Sequence, residues 1–240
     1  MIGAIFRGRF VMIRRITVVG LVIYSMFVSF AFAGTWIDDF EDGNLHGWKG
    51  VDVNWVVEHG ECSGQWANAL AGWAECIECG IENSASLRDY GIVCRAKLVE
   101  KLAGVSPHFG IRFRMGPGDG RGDYEAYIDL EEEEGVFCIA PFQKMSEVRL
   151  PFDIVEETWY KLEVIAEGDH FEFFIDDEQI GSFDNASRPS GSVGLEVANA
   201  HVHFDDVVIT GPEIPDGGPG FAVASQSKLA TMWGSVKRCP

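Results

Sequence analysis

Beyond residue 33 the chain shows almost no helical period. Short runs of alternating apolar and polar side chains recur instead, broken by Gly, Asp, Asn and Pro. In GIRFRMG, Ile111, Phe113 and Met115 fall on one face, while Arg112 and Arg114 fall on the other. In WYKLEVIAEG, Tyr160, Leu162 and Val164 oppose Lys161 and Glu163. A period of two turns successive side chains to opposite faces of a strand, so each run buries one face and wets the other. The pattern predicts strands over 54–58, 90–99, 108–115, 124–131, 135–140, 145–151, 159–167, 170–175, 179–184, 192–198 and 202–210. Asp176-Asp177, between two such runs, supplies a hairpin turn. So many short runs predict an all-β fold, an antiparallel two-sheet jelly-roll sandwich.

The first 33 residues read differently. Arg7, Arg9, Arg14 and Arg15 precede an uncharged stretch over 16–30, and the segment ends Ala31-Phe32-Ala33. This is the layout of a secretory signal peptide, with cleavage after Ala33 and export from the cytoplasm. The alternative is an uncleaved anchor, since the run approaches the ~17–20 residues that span a bilayer. After cleavage no membrane insertion is expected. The sandwich then covers 34–210, a Pro/Gly linker (GPEIPDGGPG) lies within 211–227, and a short tail covers 228–240. In the tail Leu229, Met232, Trp233 and Val236 recur at helical spacing, so it either docks, engages a protein partner, or stays loosely ordered.

A formal net charge of −18, more negative once the leader's four arginines are gone, repels phosphate backbones and excludes nucleic acid as a partner. It suits neutral glycans and divalent cations. All six cysteines (Cys62, Cys76, Cys79, Cys94, Cys138, Cys239) follow the leader, and export would permit disulfides. Cys76-Ile77-Glu78-Cys79 has no second C-x-x-C or His pair to complete a zinc site, so disulfide or plain packing is expected of it.

The segments HFGIRFR, GDYEAYIDL, ETWYKLEVIAEGDHFEFFIDDEQIGSF, GSVGLEV and HVHFDDVVI, opened by WIDDFEDGNLHGW and WVVEHGECSG, carry a resemblance. In order and motif they resemble the concanavalin A-like lectin/glucanase superfamily, which includes laminin-G-like domains. They are most similar to the bacterial 3-keto-disaccharide hydrolase domain, once of unknown function. The resemblance covers roughly 35–210 and implies a carbohydrate partner. It leaves open binding, hydrolysis or adhesion, because that superfamily contains lectins, binding modules and hydrolases.

In YEAYIDLEEEEG the carboxylates Glu125, Asp129 and Glu131 share one predicted strand face. The glucanases of the superfamily carry E-x-D-x-E on the matching strand. Here Asp129 and Glu131 match, while Tyr127 stands at the nucleophile position. Glu125 lies six residues from Glu131, ~20 Å along a strand, too far for the ~5–9.5 Å that paired glycosidase carboxyls require. The expected function is therefore lectin-like binding of extracellular glycan on a concave face lined by Arg112, Arg114, Tyr127, Asp129 and Glu131, with Trp66 and Trp73 as stacking platforms. The alternatives are a glycoside hydrolase of the 3-keto-disaccharide type, with Asp129 or Glu131 as general acid, and a laminin-G-like adhesion module.

Three further clusters carry candidate chemistry. Asp38, Asp39, Glu41 and Asp42 open the domain and Asp205 and Asp206 close it. If the first and last strands lie side by side, these acids could hold a structural calcium, which takes six to eight oxygen ligands. His201-Val202-His203 puts two imidazoles on one strand face, either as a polar face or as a metal site with Asp205. Arg121-Gly122-Asp123 is read as turn chemistry, and Trp159 is expected to pack in the core.

Overall fold

The computed structural model describes residues 33–68, 74–116, 123–139 and 143–222, with the backbone alone described at 139, over 143–149 and at 222. The leader, Trp73, Arg121, Gly122 and the tail lie outside the described residues. In chain order the strands are β1 (Gly34–Asp38), β2 (Trp48–Lys49), β3 (Trp55–Glu58), β4 (Glu61–Trp66) and β5 (Glu75–Cys79). Then come β6 (Tyr90–Lys101), β7 (His108–Met115), β8 (Tyr124–Asp129), β9 (Glu134–Ile139) and β10 (Gln143–Pro151). The last five are β11 (Trp159–Glu167), β12 (His170–Ile175), β13 (Glu178–Asp184), β14 (Ser192–Ala198) and β15 (Ala200–Gly211).

They form two sheets in which every strand pairing is antiparallel. The first runs β13-β12-β11-β6-β15-β4-β3, with β1 pairing the far end of β15, and the second runs β10-β9-β8-β7-β14-β5-β2. In β11 the alternation read from the sequence is the alternation observed. In β11, Tyr160, Leu162, Val164 and Ala166 point inward and the residues between them point out. Asp176 and Asp177 both take positive φ, 50° and 69°, the backbone of a two-residue hairpin turn between β12 and β13.

Aromatic side chains join the sheets. Phe113, Tyr124 and Phe137 of the second sheet meet Phe171, Phe173 and Phe183 of the first, with ring centroids as close as 4.4 Å for Phe137–Phe183. At the other end Trp36 of β1 meets Trp48 of β2 edge-on at 5.4 Å. Cys62, Cys79 and Cys94 are buried free thiols that fill core positions, and no disulfide joins cysteines among the described residues. Packing, not cross-linking, is what these three cysteines contribute.

Four strands escape the alternation pattern: β1, β2, β4 and β5. They are short, and their Gly, Cys and Glu content gives no period-two signal, so their extended state comes from their partners. β5 matters most here, because it borders the polar face described next.

Candidate functional site

Phe109, Ile111 and Phe113 of β7 enter the core, so His108, Gly110 and Arg112 lie on the second sheet's other face. Register extends that face across the neighbours: Glu125 opposes Arg112, Tyr127 opposes Gly110 and Asp129 opposes His108. On the opposite flank Glu196 of β14 opposes Gly110, and Cys76 of β5 opposes Glu196. Cys138 of β9 opposes Glu125. The wet surface that alternation predicts is not what forms. Glu125 is 8% exposed, Tyr127 7%, Asp129 6%, His108 5% and Glu196 0%.

Charges so covered must be paired. Arg112 is the brace: its Nε donates to Glu196 Oε2 at 2.9 Å, and its Nη2 donates to Glu125 Oε1 at 2.5 Å. Burial alone would lower the Arg112 pKa, but the two carboxylates outweigh burial and hold the guanidinium charged. Beside it the His108 and Tyr127 rings lie 4.5 Å apart. The Cys138 thiol reaches Glu125 Oε2 at 3.6 Å, and burial pushes the Cys76 and Cys138 thiols up.

Glu196 is the unusual member. Burial first, then the charge of Glu125, raise its pKa to about 8, against the opposing pull of Arg112. Its Oε1 is buried and has no hydrogen-bond partner among the described residues, and the same holds for His108 Nε2. The pKa shift has a stability consequence. The folded chain holds the Glu196 proton more tightly than the unfolded chain, so this group's contribution is complete below about 4.5 and is lost as pH rises toward about 8. Asp38 and Asp205, each raised to about 6 chiefly by burial, add slope of the same sign at lower pH. Unfolding free energy should therefore fall between pH 6.5 and 8 with a slope of up to about 1.4 kcal/mol per unit. Glu196→Gln should flatten that slope in denaturant titrations at stepped pH. An unchanged slope in the variant would show that Glu196 is ionised throughout.

Several expected site residues fall elsewhere. Arg114 does not share the face of Arg112. Met115 pairs with Ser192 and Phe113 with Val193, so Arg114 is the extra residue of a β-bulge, at φ 51°. The bulge turns its side chain inward, over the Phe171 and Tyr90 rings at 5.2 and 5.8 Å. There the guanidinium donates to the carbonyls of Arg88, Gly168 and Pro189.

Glu131 is not on the strand either. β8 ends at Asp129, whose Oδ1 accepts the N–H groups of Glu131 (2.9 Å) and Glu132 (3.1 Å), and Glu131 sits in the exposed turn. Asp129 lies on the polar face but at its rim, holding this turn. Trp66 ends β4 in the first sheet and packs against the core, so it offers no platform to the second sheet's polar face. Trp73 lies outside the described residues. Tyr127 is where it was expected.

β1 and β15 do lie side by side, with Asp38 opposite Val207. The acids at their ends are nevertheless engaged separately. Asp38 accepts from Phe40 N–H (2.9 Å) and Trp48 Nε1 (2.7 Å), Asp42 accepts from Asn44 N–H, and Asp205 and Asp206 both bind Arg95. Among the described residues no three His, Cys, Asp or Glu side chains form a metal-holding group, and that covers Asp39 and Glu41 as well. His201 and His203 do share an outer face of the first sheet. There they meet Ser63 Oγ at 3.0 Å and Glu61 Oε2 at 2.5 Å. Trp159, expected in the core, lies on that same outer face, flanked by Arg95 and Lys97 at 4.8 and 4.6 Å from its ring centroid. Asp123 closes its turn on Gly116 N–H (3.1 Å) and pairs with Arg188 (3.3 Å).

Glu196 and His108 are the site residues that sequence reasoning passed over, while Glu125, considered there only as a catalytic partner of Glu131, turns out to pair with Arg112. A signal for Glu196 existed: in SVGLEVA it is the single charge in a strand whose every position is buried.

Two antiparallel sheets around one aromatic core, with a polar network on the outer face of one of them, define a concanavalin A-like jelly roll. Among solved structures the chain is similar to the carbohydrate binding module CBM66 from Bacillus subtilis, at TM-score 0.57 and 20% identity, covering 71% of this chain and 98% of that one. It is also similar to the Bacillus licheniformis β-glucanase, at TM-score 0.53 and 11% identity, covering 74% and 98%. No curated protein sequence matches it. The model of the 3-keto-alpha-glucoside-1,2-lyase-like domain matches residues 35–210, and the chain belongs to that family.

Proposed function

We propose that this chain is an exported carbohydrate-binding domain that takes extracellular glycan on the polar face of the second sheet. One observation carries this reading: Arg112 braced between Glu125 and Glu196 beside the His108 and Tyr127 rings, which meet at a tilt. A buried ion network contributes little net stability compared with apolar packing, so its presence on a sheet face calls for a recognition role. Aromatic and charged groups converging on one face are also the usual lining of a small-molecule site. The similarity to a carbohydrate binding module and a β-glucanase supports the choice of ligand.

A second reading, cleavage of a glycosidic bond in the manner of the family's description, is favoured by Glu196 alone. A carboxyl titrating near pH 8 is suited to proton transfer at neutral pH. A panel of neutral glycosides and 3-ketoglycosides, followed for both binding and product release, separates the two. Binding without release is the expected result. Release that disappears in Glu196→Gln would replace the first reading by the second, and neither binding nor release across the panel would remove both.

A further inference from the structure

The first sheet ends at β3, and no strand lies beyond it among the described residues. Gln65 N–H donates to the Asn54 carbonyl at 2.9 Å, so positions 54, 56 and 58 bond to β4 in the alternating antiparallel pattern. The N–H and C=O of Val57 therefore point away from β4, as does the Trp55 carbonyl. An edge of this kind templates pairing with another chain, and proteins blunt it with Lys, with Pro or with a covering segment. The β3 sequence WVVE carries neither Lys nor Pro. Val51, Val53 and Val56 beside it are exposed, Val53 almost completely.

The path by which the chain leaves the sandwich points to the cover. β6 takes one side of β15, while β1 and β4 share the other, β1 along 207–211 and β4 along 200–204. One rank further out, the Gly217 carbonyl accepts from Ile37 N–H, and Gly217 N–H donates to the Thr35 carbonyl, both at 3.0 Å. This bridge is parallel to β1. The segment therefore runs toward the β3–β4 hairpin, in line with β3 and opposite to it in direction. The turn Pro219–Ala222 then lays Gly220 against the backbone of Asp39, and Glu41 lies against Gly60 at the hairpin tip. The described chain thus ends beside the open edge, with Phe221 exposed. Residues 223–240 follow. They carry Lys228, Lys237 and Arg238 and no Asp or Glu, in a chain whose net charge is −18. The edge they would meet carries exposed Asp52 and Glu58.

We propose that residues 223–240 complete the first sheet by pairing antiparallel along the free edge of β3, from Glu58 toward Trp55. Their basic side chains meet Asp52 and Glu58, and Leu229, Met232 and Trp233 cover Val51 and Val53. The tail is then the segment that keeps this edge from pairing with another chain. A second copy is the weaker occupant, because two such edges bring Asp52 and Glu58 against their own kind.

Amide hydrogen exchange on the full chain tests this. Val57 N–H should exchange at least about tenfold more slowly than in an unstructured chain, the effect of one added backbone hydrogen bond. Changing Lys228, Lys237 and Arg238 together to Glu should remove most of that protection, while the Val56 and Glu58 amides, bonded to β4, keep theirs and report that the sandwich is folded. Carbodiimide coupling in a mixture of isotopically light and heavy chains should join Lys228 or Lys237 to Asp52 or Glu58 within one chain. Three results each overturn the proposal: a wild-type Val57 amide exchanging at the unstructured rate, protection that survives the charge reversal, or links formed only between light and heavy chains. The last of these assigns the edge to a second copy. The wild-type exchange and coupling need no variant, so a folding defect in the charge-reversed chain does not protect the proposal.

Discussion

Replacing Arg112 by methionine should remove about 3–5 kcal/mol of folding stability, the usual cost of stripping one partner from a buried ion network. The loss comes less from the missing guanidinium than from what it leaves behind. Glu125 and Glu196 would face each other across the sheet without a cation, Glu196 with no exposure at all. The defect should therefore depend on pH. Acidic pH favours the protonated carboxyls and shrinks the penalty, which grows as pH rises and the loss of Arg112 leaves the anions without a counter-charge. Adding Glu125→Gln and Glu196→Gln to Arg112→Met should recover most of the loss, since neutral amides tolerate burial better than unpaired anions. Urea unfolding of the wild type, the single variant and the triple variant at pH 4.5 and 7.5 reads all of this. A neutral-pH loss below 1 kcal/mol, or a loss that does not depend on pH, would show that the brace is not holding two buried acids.

Arg114→Leu should be comparably damaging for a different reason. Its guanidinium ties three connections at one end of the sandwich through the carbonyls of Arg88, Gly168 and Pro189. Leucine leaves those carbonyls without this donor, each worth ~1–3 kcal/mol where water cannot replace it, so a loss of at least about 3 kcal/mol is expected. Arg114→Lys should recover less than half, because an ammonium is a point donor that cannot span three directions in a fixed plane. Hydrogen exchange should accelerate first around Gly168 and 185–191, the segments the side chain clamps. A leucine variant with wild-type melting and unchanged exchange there would show that the clamp is dispensable. Neither effect involves the ligand, so both separate the architecture from the proposed function.

The contrast between Arg112 and Arg114 shows where the sequence stops. Two residues apart in an alternating run, they read as neighbours on one face. Alternation holds only while the register holds, and one inserted residue changes which face a side chain occupies. That insertion is defined by β14, about 80 positions away, where Ser192 and Val193 pair with residues two apart. Glu131 is a similar case. Nothing in EEEE marks the end of a strand, which is set where the Asp129 carboxylate turns back to cap the backbone behind it.

The sequence by itself determined the two-sheet sandwich, the family, the Asp176-Asp177 turn and the placement of Arg112 and Tyr127, because these follow from local periodicity, turn chemistry and motif order. Only the tertiary structure decided which charges meet. Arg112 on β7, Glu125 on β8 and Glu196 on β14 become one network through strand order, and its energy depends on burial from both faces of the sheet. Strand order and burial are properties of the assembled sandwich, and no local stretch of the chain encodes them.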